Sequence, residues 1–254
     1  MALLEVCCGN PESVDAAVLG GARRIELCAD LEADGLTPPV AWIRDTKAHY
    51  PALTVHVLIR PRAGDFVYSP AEADVMASQV EEALEAGADG IVIGALTPEG
   101  DVDVPLLERL VLLVESFNLA TELQRSDLCH AANDNHFFPG PARRVSITFH
   151  RAFDRCRRPF EALEQIIGLG CDRILTSGQA ATAEAGAAML GELRRRARGR
   201  IGILPGGGVT PGNAAGILAA TGCTEIHASA SMIQEGNKVT DAGRVADILQ
   251  EIDG

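Results

Sequence analysis

A short pattern of small and apolar residues recurs four times along the chain. The pattern is Gly-(Ala or Cys)-x-x-Ile, and its copies span residues 21–25, 87–91, 170–174 and 222–226. Each copy follows a stretch with helical periodicity and opens an apolar run, as expected where a glycine ends a helix and a strand begins. The sequence therefore predicts four similar joints between a helix and the next β-strand.

Four further apolar runs, at residues 3–8, 54–59, 145–150 and 201–205, bring the predicted strands to eight. The strands start near residues 3, 24, 54, 89, 145, 172, 201 and 225, and helical stretches alternate with them. Eight βα units in about 250 residues are typical of a (β/α)8 TIM-type barrel. The alternative is a doubly wound open sheet, but no Gly-x-Gly-x-x-Gly motif follows the first strand. We predict one α/β barrel domain over residues 1–254.

One spacing, between predicted strands 4 and 5, is much longer than the others. It holds a predicted helix from about Val104 to Phe117 and then a polar stretch that contains Asn133-Asp134-Asn135 and Pro139-Gly140-Pro141. We interpret residues 118–144 as an inserted excursion within the single domain. This segment is a candidate for a disordered loop, a lid or an oligomer contact.

Strand alternation predicts which side chains face the barrel axis. If the isoleucine of each repeat faces the helices, the residues one and three places later point inward. This rule directs Glu26 and His227 inward, and the same alternation on strands 1, 3 and 5 directs Glu5, His56 and His150 inward. Glu5, Glu26, His56 and His227 come from four neighbouring strands. Because charged residues are rarely fully buried unless they are paired, the cluster predicts a catalytic site. For each residue alone, a satisfied core ion pair or hydrogen bond is the alternative.

Arginines follow the ends of predicted strands 3 and 5, and a glycine-rich turn follows strand 7. Guanidinium groups clamp carboxylates and phosphates, and the nearby Asp65 and Asp154 are expected to fix their orientation. The loops after strands 7 and 8 bind phosphate in many barrels. A surface salt-bridge network and a purely structural turn are the alternatives. The anion-binding candidates are Arg60, Arg62, Arg151, Ser177, Gly207, Gly208 and Ser229.

Three of the seven cysteines, Cys7, Cys8 and Cys28, lie near the ends of adjacent strands 1 and 2. Soft thiolates favour Cu(I), so these residues are the candidate metal ligands, whereas small buried core cysteines are the alternative. Cys171 and Cys223 occupy the small-residue position of the repeat and are expected to be structural. No organic cofactor is indicated.

Composition excludes several classes of function. The formal net charge of -13 disfavours nonspecific nucleic-acid binding, and no apolar run approaches the roughly 18 residues that a membrane span needs. The N-terminus has no signal-peptide pattern and the odd number of cysteines fits a reducing compartment, so we expect a cytoplasmic protein. The basic run from Arg194 to Arg200 ends an apparent helix, which favours a solvated helix end over an anion site.

Six motifs occur in order along the chain: LLEVCC at 3–8, RIELCA at 24–29, DGLTP at 34–38, IRPRAGDF at 59–66, TFHRAFD at 148–154 and LTSGQ at 175–179. Together they resemble the CutC family, which is named for copper homeostasis. The similarity covers almost the whole chain except residues 118–144, which have no counterpart in compact members of the family. Strand 8 also departs from the family pattern, because it reads His227-Ala228-Ser229 where other members have a similar His-Ser-Ser. The resemblance implies a TIM-type barrel, a cytoplasmic location, frequent homo-oligomers and copper binding or trafficking, with the copper-binding cysteines at Cys7, Cys8 and Cys28.

Two functional hypotheses follow. The resemblance implies a copper-handling protein whose ligand is the copper ion. The residues themselves favour an enzyme that uses His/Glu acid-base chemistry on a small anionic substrate, phosphorylated or carboxylated, because paired carboxylates, histidines and arginines exceed what a Cu(I) carrier needs. No feature specifically supports a structural or interaction module.

Overall fold

The computed structural model describes residues 2–131, 144–234 and 237–253, without the side chains of residues 125–131, 234 and 237. Within them, eight parallel strands form one sheet: β1 (Leu3–Cys8), β2 (Arg24–Leu27), β3 (Thr54–Leu58), β4 (Gly90–Ile93), β5 (Ser146–Phe149), β6 (Arg173–Thr176), β7 (Gly202–Pro205) and β8 (Glu225–Ala228). The strand order is β7-β6-β5-β4-β3-β2-β1-β8, and a parallel bridge between Gly206 and His227 joins the two ends. The sheet is thus a closed barrel, as predicted.

Helices cover the outside of this barrel. They are α1 (Pro11–Leu19), α2 (Val40–His49), α3 (Pro70–Glu85), α4 (Val104–Ala131), α5 (Pro159–Gly168), α6 (Ala187–Ala197), α7 (Pro211–Thr221) and α8 (Ala242–Asp253). Two 3-10 turns, Leu31–Ala33 and Arg151–Arg155, follow β2 and β5, and a hairpin of β9 (Ser231–Gln234) and β10 (Asn237–Thr240) follows β8. Among the described residues, no helix is long and apolar enough to cross a membrane.

The four repeated joints have the backbone that their glycines predicted. Gly21, Gly87, Gly170 and Gly222 have φ values of 95°, 94°, 84° and 67°. This left-handed conformation is strained for other residues and routine for glycine, so the repeat ends a helix and turns the chain into the next strand.

Side-chain alternation sorts the strands into two faces. The outward set, including Val6, Ile25 and Val55, is fully buried in the large core between the sheet and the helices. The inward residues Cys28 and Leu58, with Val92 of β4, form a separate small apolar cluster inside the barrel. The alternation rule therefore holds, and the barrel interior is a separate environment from the outer core.

Helix α4 runs further than predicted. It was expected to end at Phe117, but it continues to Ala131, so the first half of the supposed excursion is helical. Residues 118–131 contain neither glycine nor proline, and nothing in them breaks a helix. Asn118 ties this helix to β5 through hydrogen bonds with both the N–H and the C=O of Val145. Residues 132–143 lie outside the described residues, so the lid, disorder and oligomer-contact interpretations stay predictions.

Candidate functional site

Glu5 is the centre of a polar network inside the barrel. Its carboxylate is fully buried and contacts Nε of Arg24 at 2.8 Å, Nδ1 of His56 at 2.8 Å and Nδ1 of His227 at 2.9 Å. Burial by itself would raise the pKa of Glu5, but the charge of Arg24 first, and then His56, hold this pKa well below its usual range. Glu5 is therefore a buried anion at neutral pH, and it fixes the orientation of two imidazoles.

Glu26 and His227 form a second pair, one step closer to the carboxyl ends of the strands. Because Nδ1 of His227 faces Glu5, its Nε2 faces Glu26, at 3.7 Å from the carboxylate. Burial raises the pKa of Glu26. Burial opposes the protonation of His227, but the charge of Glu26 and the contacts with Cys7 and Glu5 hold the pKa of His227 well above its usual value. The structure thus brings together all four residues that alternation directed inward, Glu5, Glu26, His56 and His227.

Two of the three candidate metal ligands lie together, and the third does not. The sulfur atoms of Cys7 and Cys28 are 3.7 Å apart, and the possible ligand atoms of Cys7, Glu26 and His227 all lie within 4.8 Å of one another. Cys8 points the other way, into the outer core, where its thiol contacts the carbonyl of Ser13 at 3.5 Å. Including Cys8 in the metal set was wrong, because successive residues of a strand point to opposite faces.

The Cys7 thiol is protonated in the metal-free protein. The hydrogen bond with Cys28 and then burial raise the pKa of Cys7 well above its usual value, and burial does the same for Cys8. A metal that binds Cys7 must therefore displace a proton.

A cavity of about 740 Å³ lies at the carboxyl ends of the strands. We call it the mouth cavity. Cys7, Glu26 and His227 line one part of it. The remaining wall carries polar and apolar side chains, which include Arg60, His150, Arg151, Arg155, Asp34, Asp65, Asp154, Thr97, Phe66, Leu96 and Leu175. This volume is that of a small-molecule site.

The predicted arginines take different positions. Arg60 is buried in the cavity wall, where its guanidinium donates to the carbonyls of Ala33, Gly35 and Gly64. Arg151 also lines the cavity, held by Asp154 at 2.8 Å. Arg62 is not in the lining, because its guanidinium is turned to Glu72, Asp65 and nearby carbonyls. The predicted role of Arg62 in the mouth is therefore wrong.

The small anion-binding candidates also lie outside the cavity lining. Ser177 donates its hydroxyl to the carbonyl of Ala180 and contacts Asp154, and Ser229 pairs with Ser231. Gly207 and Gly208 have φ values of 101° and 70°, and Gly207 sits beside the Arg151 guanidinium. These residues shape the loops after β6, β7 and β8, and the guanidinium of Arg151, which lines the cavity, donates to the hydroxyl of Ser177 at 3.2 Å. Their anion-binding role stays a prediction.

His150 lines the cavity as a neutral ring. Its Nδ1 accepts a hydrogen bond from the backbone N–H of Ala152 at 3.1 Å. Burial and then the charge of Arg60 lower the pKa of His150 to about 3. Its predicted part in proton exchange near neutral pH is therefore unsupported.

Sequence reasoning missed three polar residues of the barrel interior. Arg24, Arg173 and Glu225 form a connected network at the amino-terminal end of the barrel, with Glu225 bound to both arginines. Each of them precedes the isoleucine of a repeat, so the alternation rule already directed them inward. Asp154 accepts hydrogen bonds from the Ser177 and Gln179 N–H groups and from the Thr176 hydroxyl, and so fixes the loop after β6. Asp154 also accepts from Nε of Arg151 at 2.8 Å, in the orienting role that the sequence assigned to it.

The model of the CutC family matches residues 2–135 and 140–232. The chain belongs to the CutC family. CutC family proteins of Chromobacterium violaceum and Bacteroides fragilis are 44% and 45% identical over 228 residues, 90% of this chain and 81% and 80% of theirs. The crystal structure of CutC from Streptococcus agalactiae, which is named for copper homeostasis, has a TM-score of 0.76 at 28% identity and covers 90% of this chain and 99% of that chain. The CutC model also spans most of residues 118–144, which we had set apart from the resemblance.

More distant structures share only the barrel with this CutC family member. One is 3-keto-L-gulonate-6-phosphate decarboxylase of Vibrio cholerae, with a TM-score of 0.59 and 13% identity, covering 99% of this chain and 97% of that chain. At this identity the likeness supports the fold and nothing about chemistry.

Proposed function

We propose that the mouth cavity is the active site of an enzyme that moves a proton on a small anionic substrate, with Glu26 and His227 as the exchanging groups. The observation that carries the proposal is that this carboxyl-imidazole pair lines the same cavity as Arg60, Arg151 and Arg155. Guanidinium groups bind phosphates and carboxylates through charge-assisted hydrogen bonds. Asp34, Asp65 and Asp154 line the same cavity, so these arginines serve as positioned donors and not as a surplus of positive charge.

The surroundings of the pair suit general acid-base catalysis. Ionised Glu5 holds Nδ1–H of His227, so that Nε2, the end near Glu26, is the one that exchanges a proton. The pKa values of Glu5 and Glu26 are shifted in opposite directions, Glu5 down and Glu26 up. Two carboxyl groups separated in this way divide the roles of buried anion and exchangeable acid.

Deuterium exchange tests this function even while the substrate is unidentified. The protein is incubated in heavy water with phosphorylated hydroxy-carbonyl compounds and 2-oxo acids, and proton NMR follows the loss of C–H signals. We expect at least one compound to exchange, and Glu26→Gln and His227→Gln each to slow that exchange by about 100-fold or more. Glu251→Gln, on the exposed side of α8, is the matched control. Full exchange by both site variants, or no exchange of any compound, would contradict the proposal.

A second candidate function is Cu(I) binding, with the ion as cargo. It is favoured by the 3.7 Å approach of the Cys7 and Cys28 sulfurs, with an imidazole beside them, and by the name of the Streptococcus agalactiae relative. Soft thiolates are the ligands that Cu(I) prefers. The carboxylate of Glu5 would hold the imidazole of His227 from behind, as outer partners of metal-bound histidines do.

Anaerobic competition against a Cu(I) chelator tests this function, and Cys8 provides the control. Cys7→Ser and Cys28→Ser should each abolish stoichiometric uptake, whereas Cys8→Ser should retain it because Cys8 faces the outer core. Equal uptake by all three variants would show that the ion binds elsewhere.

A further inference from the structure

We propose that His150 acts as a neutral hydrogen-bond donor that, together with Nε–H of Arg60, binds a carbonyl or carboxylate oxygen of the molecule in the mouth cavity. The inference rests on the proposed use of this cavity as a small-molecule site. It gives that molecule a stated feature, an oxygen acceptor directed to the β3 and β5 side of the cavity.

The tautomer of His150 follows from its backbone surroundings. His150 comes directly after β5 and caps the 3-10 turn Arg151–Arg155, and the N–H of Ala152 donates to its Nδ1. A ring nitrogen that accepts a hydrogen bond carries no proton, so the proton of the neutral ring lies on Nε2. The buried position and the nearby Arg60 cation keep the ring neutral.

Two donors at this wall have no partner among the described residues. They are Nε2 of His150 and Nε of Arg60, and both are buried. Each of these groups can only donate a hydrogen bond. Buried polar groups are almost always satisfied, so two orphan donors in one wall indicate a missing acceptor. The hydroxyl of Thr97, which also lines the cavity, is a third buried polar group without a partner in the described part of the chain.

Both donors are held in place before any ligand binds. The other guanidinium nitrogens of Arg60 are fixed by three backbone carbonyls, and the cation lies 5.2 Å from the ring centroid of Phe66. The His150 ring lies 5.0 Å from the same aromatic ring. On the other side, a Cβ at Gly94 would come within 2.5 Å of the imidazole, so only glycine leaves room for the ring. Pre-positioned donors of this kind are what stabilise a carbonyl oxygen or an enolate during proton transfer.

The plainer interpretation is that His150 only caps the 3-10 turn. That role uses Nδ1 and explains the hydrogen bond from Ala152. It supplies no hydrogen-bond acceptor for Nε2, and it does not explain why Nε of Arg60 also lacks one among the described residues. The two interpretations differ in what happens at Nε2 when an anion binds.

Nitrogen-15 NMR of the full chain tests the tautomer and the contact together. Imidazole spectra are recorded between about pH 5 and about pH 9, and His150 is assigned from the signal lost in His150→Gln. We expect a proton on Nε2 at every pH, and a shift of that proton when pyruvate or inorganic phosphate is added. The proposal would be overturned by a proton on Nδ1 or by a ring that titrates in this range. It would also be overturned if the Nε2–H signal did not shift with either probe.

Calorimetry with the same two probes gives the energetic test. We expect wild-type protein to bind at least one probe, and His150→Phe, which removes the donor, to weaken binding about tenfold. His150→Gln, which keeps an amide donor near the Nε2 position, should stay within about threefold of wild type. His49→Gln, exposed on α2, is the matched control. Wild-type affinity in His150→Phe, or no binding by wild type, would overturn the proposal, and the NMR shift decides the matter if His150→Phe does not fold.

These measurements need no turnover, so they separate this inference from the proposed enzyme activity. If probes bind through His150 but no compound exchanges deuterium, proton transfer fails and the donor assignment stands. If deuterium exchanges and His150→Phe binds like wild type, only the role of His150 is rejected.

Discussion

Replacing Arg24 with methionine tests how much free energy of unfolding is lost when the buried ion pair between Arg24 and Glu5 is broken. Arg24 is buried, its Nε lies 2.8 Å from Glu5, and its Nη2 contacts Glu225. Methionine has a similar length but no charge, so the variant leaves the fully buried Glu5 carboxylate with only His56 and His227. Breaking a buried ion pair from one side costs about 3–5 kcal/mol, a large share of the 5–15 kcal/mol that is typical of a domain.

The loss should depend on pH in a defined direction. In the wild type, the pKa of Glu5 is held well below its usual value. Its contribution to stability is therefore present above the unfolded-state pKa of about 4.3 and is lost as the pH falls through the folded-state pKa. Without Arg24, the largest charge that lowers the pKa of Glu5 is gone, so protonation at acid pH relieves the buried charge. Because Glu5 titrates alike in the two unfolded states, the free-energy difference between Arg24→Met and wild type should be largest near neutral pH. It should shrink as the pH falls through the folded-state pKa of Glu5 in the variant, which lies above that of the wild type.

Urea unfolding at several pH values measures this difference. Arg109→Met is the control, because Arg109 and Asp74 form an exposed pair at 2.8 Å and such pairs contribute about 0–1 kcal/mol. A loss below about 1 kcal/mol at neutral pH would refute the electrostatic reasoning. A loss of equal size at every pH would mean that Arg24 acts through packing.

Two further substitutions test the contacts that hold His56 and the loop after β6 in place. Gly90→Ala would place a Cβ against Cδ2 of His56, closer than van der Waals contact allows, and we expect it to lower the free energy of unfolding by about 1–3 kcal/mol in thermal unfolding. Gly168→Ala is the control, because no atom lies within 4 Å of the new Cβ, and equal stability of the two variants would contradict the packing argument. Asp154→Asn removes an acceptor shared by the loop after β6 and Arg151, and we expect a loss of about 1–3 kcal/mol in urea unfolding. Wild-type stability in Asp154→Asn would show that the loop does not depend on this carboxylate.

The barrel and half of its site could be predicted from the sequence because both depend on local rules. Glycine at the joints and the alternation of side chains are properties of neighbouring residues, and they located the strands and directed Glu5, Glu26, His56 and His227 inward. The same rule, applied to every residue, would also have excluded Cys8 and included Arg24. These two errors came from incomplete use of the pattern.

The remaining errors have a different cause. Arg60 and Arg62 are two residues apart after β3, yet only Arg60 lines the cavity, because the loop carbonyls of Ala33, Gly35 and Gly64 surround its guanidinium. The guanidinium of Arg62 instead forms an ion pair with Glu72, which also takes part in the N-terminal cap of α3. Which arginine faces the cavity depends on loop contacts from distant parts of the chain, and no period in the sequence encodes them.

The position of the charges inside the barrel argues that they serve function and not stability. The residue after the repeat isoleucine is Glu26 on β2 and His227 on β8, but Val92 on β4 and Leu175 on β6. All four positions point inward, so the fold accepts an apolar side chain at this place in the repeat. Replacing buried ion pairs with well-packed apolar residues is often neutral or stabilising, and a chain under selection for stability alone would carry valine or leucine on β2 and β8 as well. The polar pair instead lies beside Cys7 and opens on the mouth cavity, which is where a barrel places its chemistry.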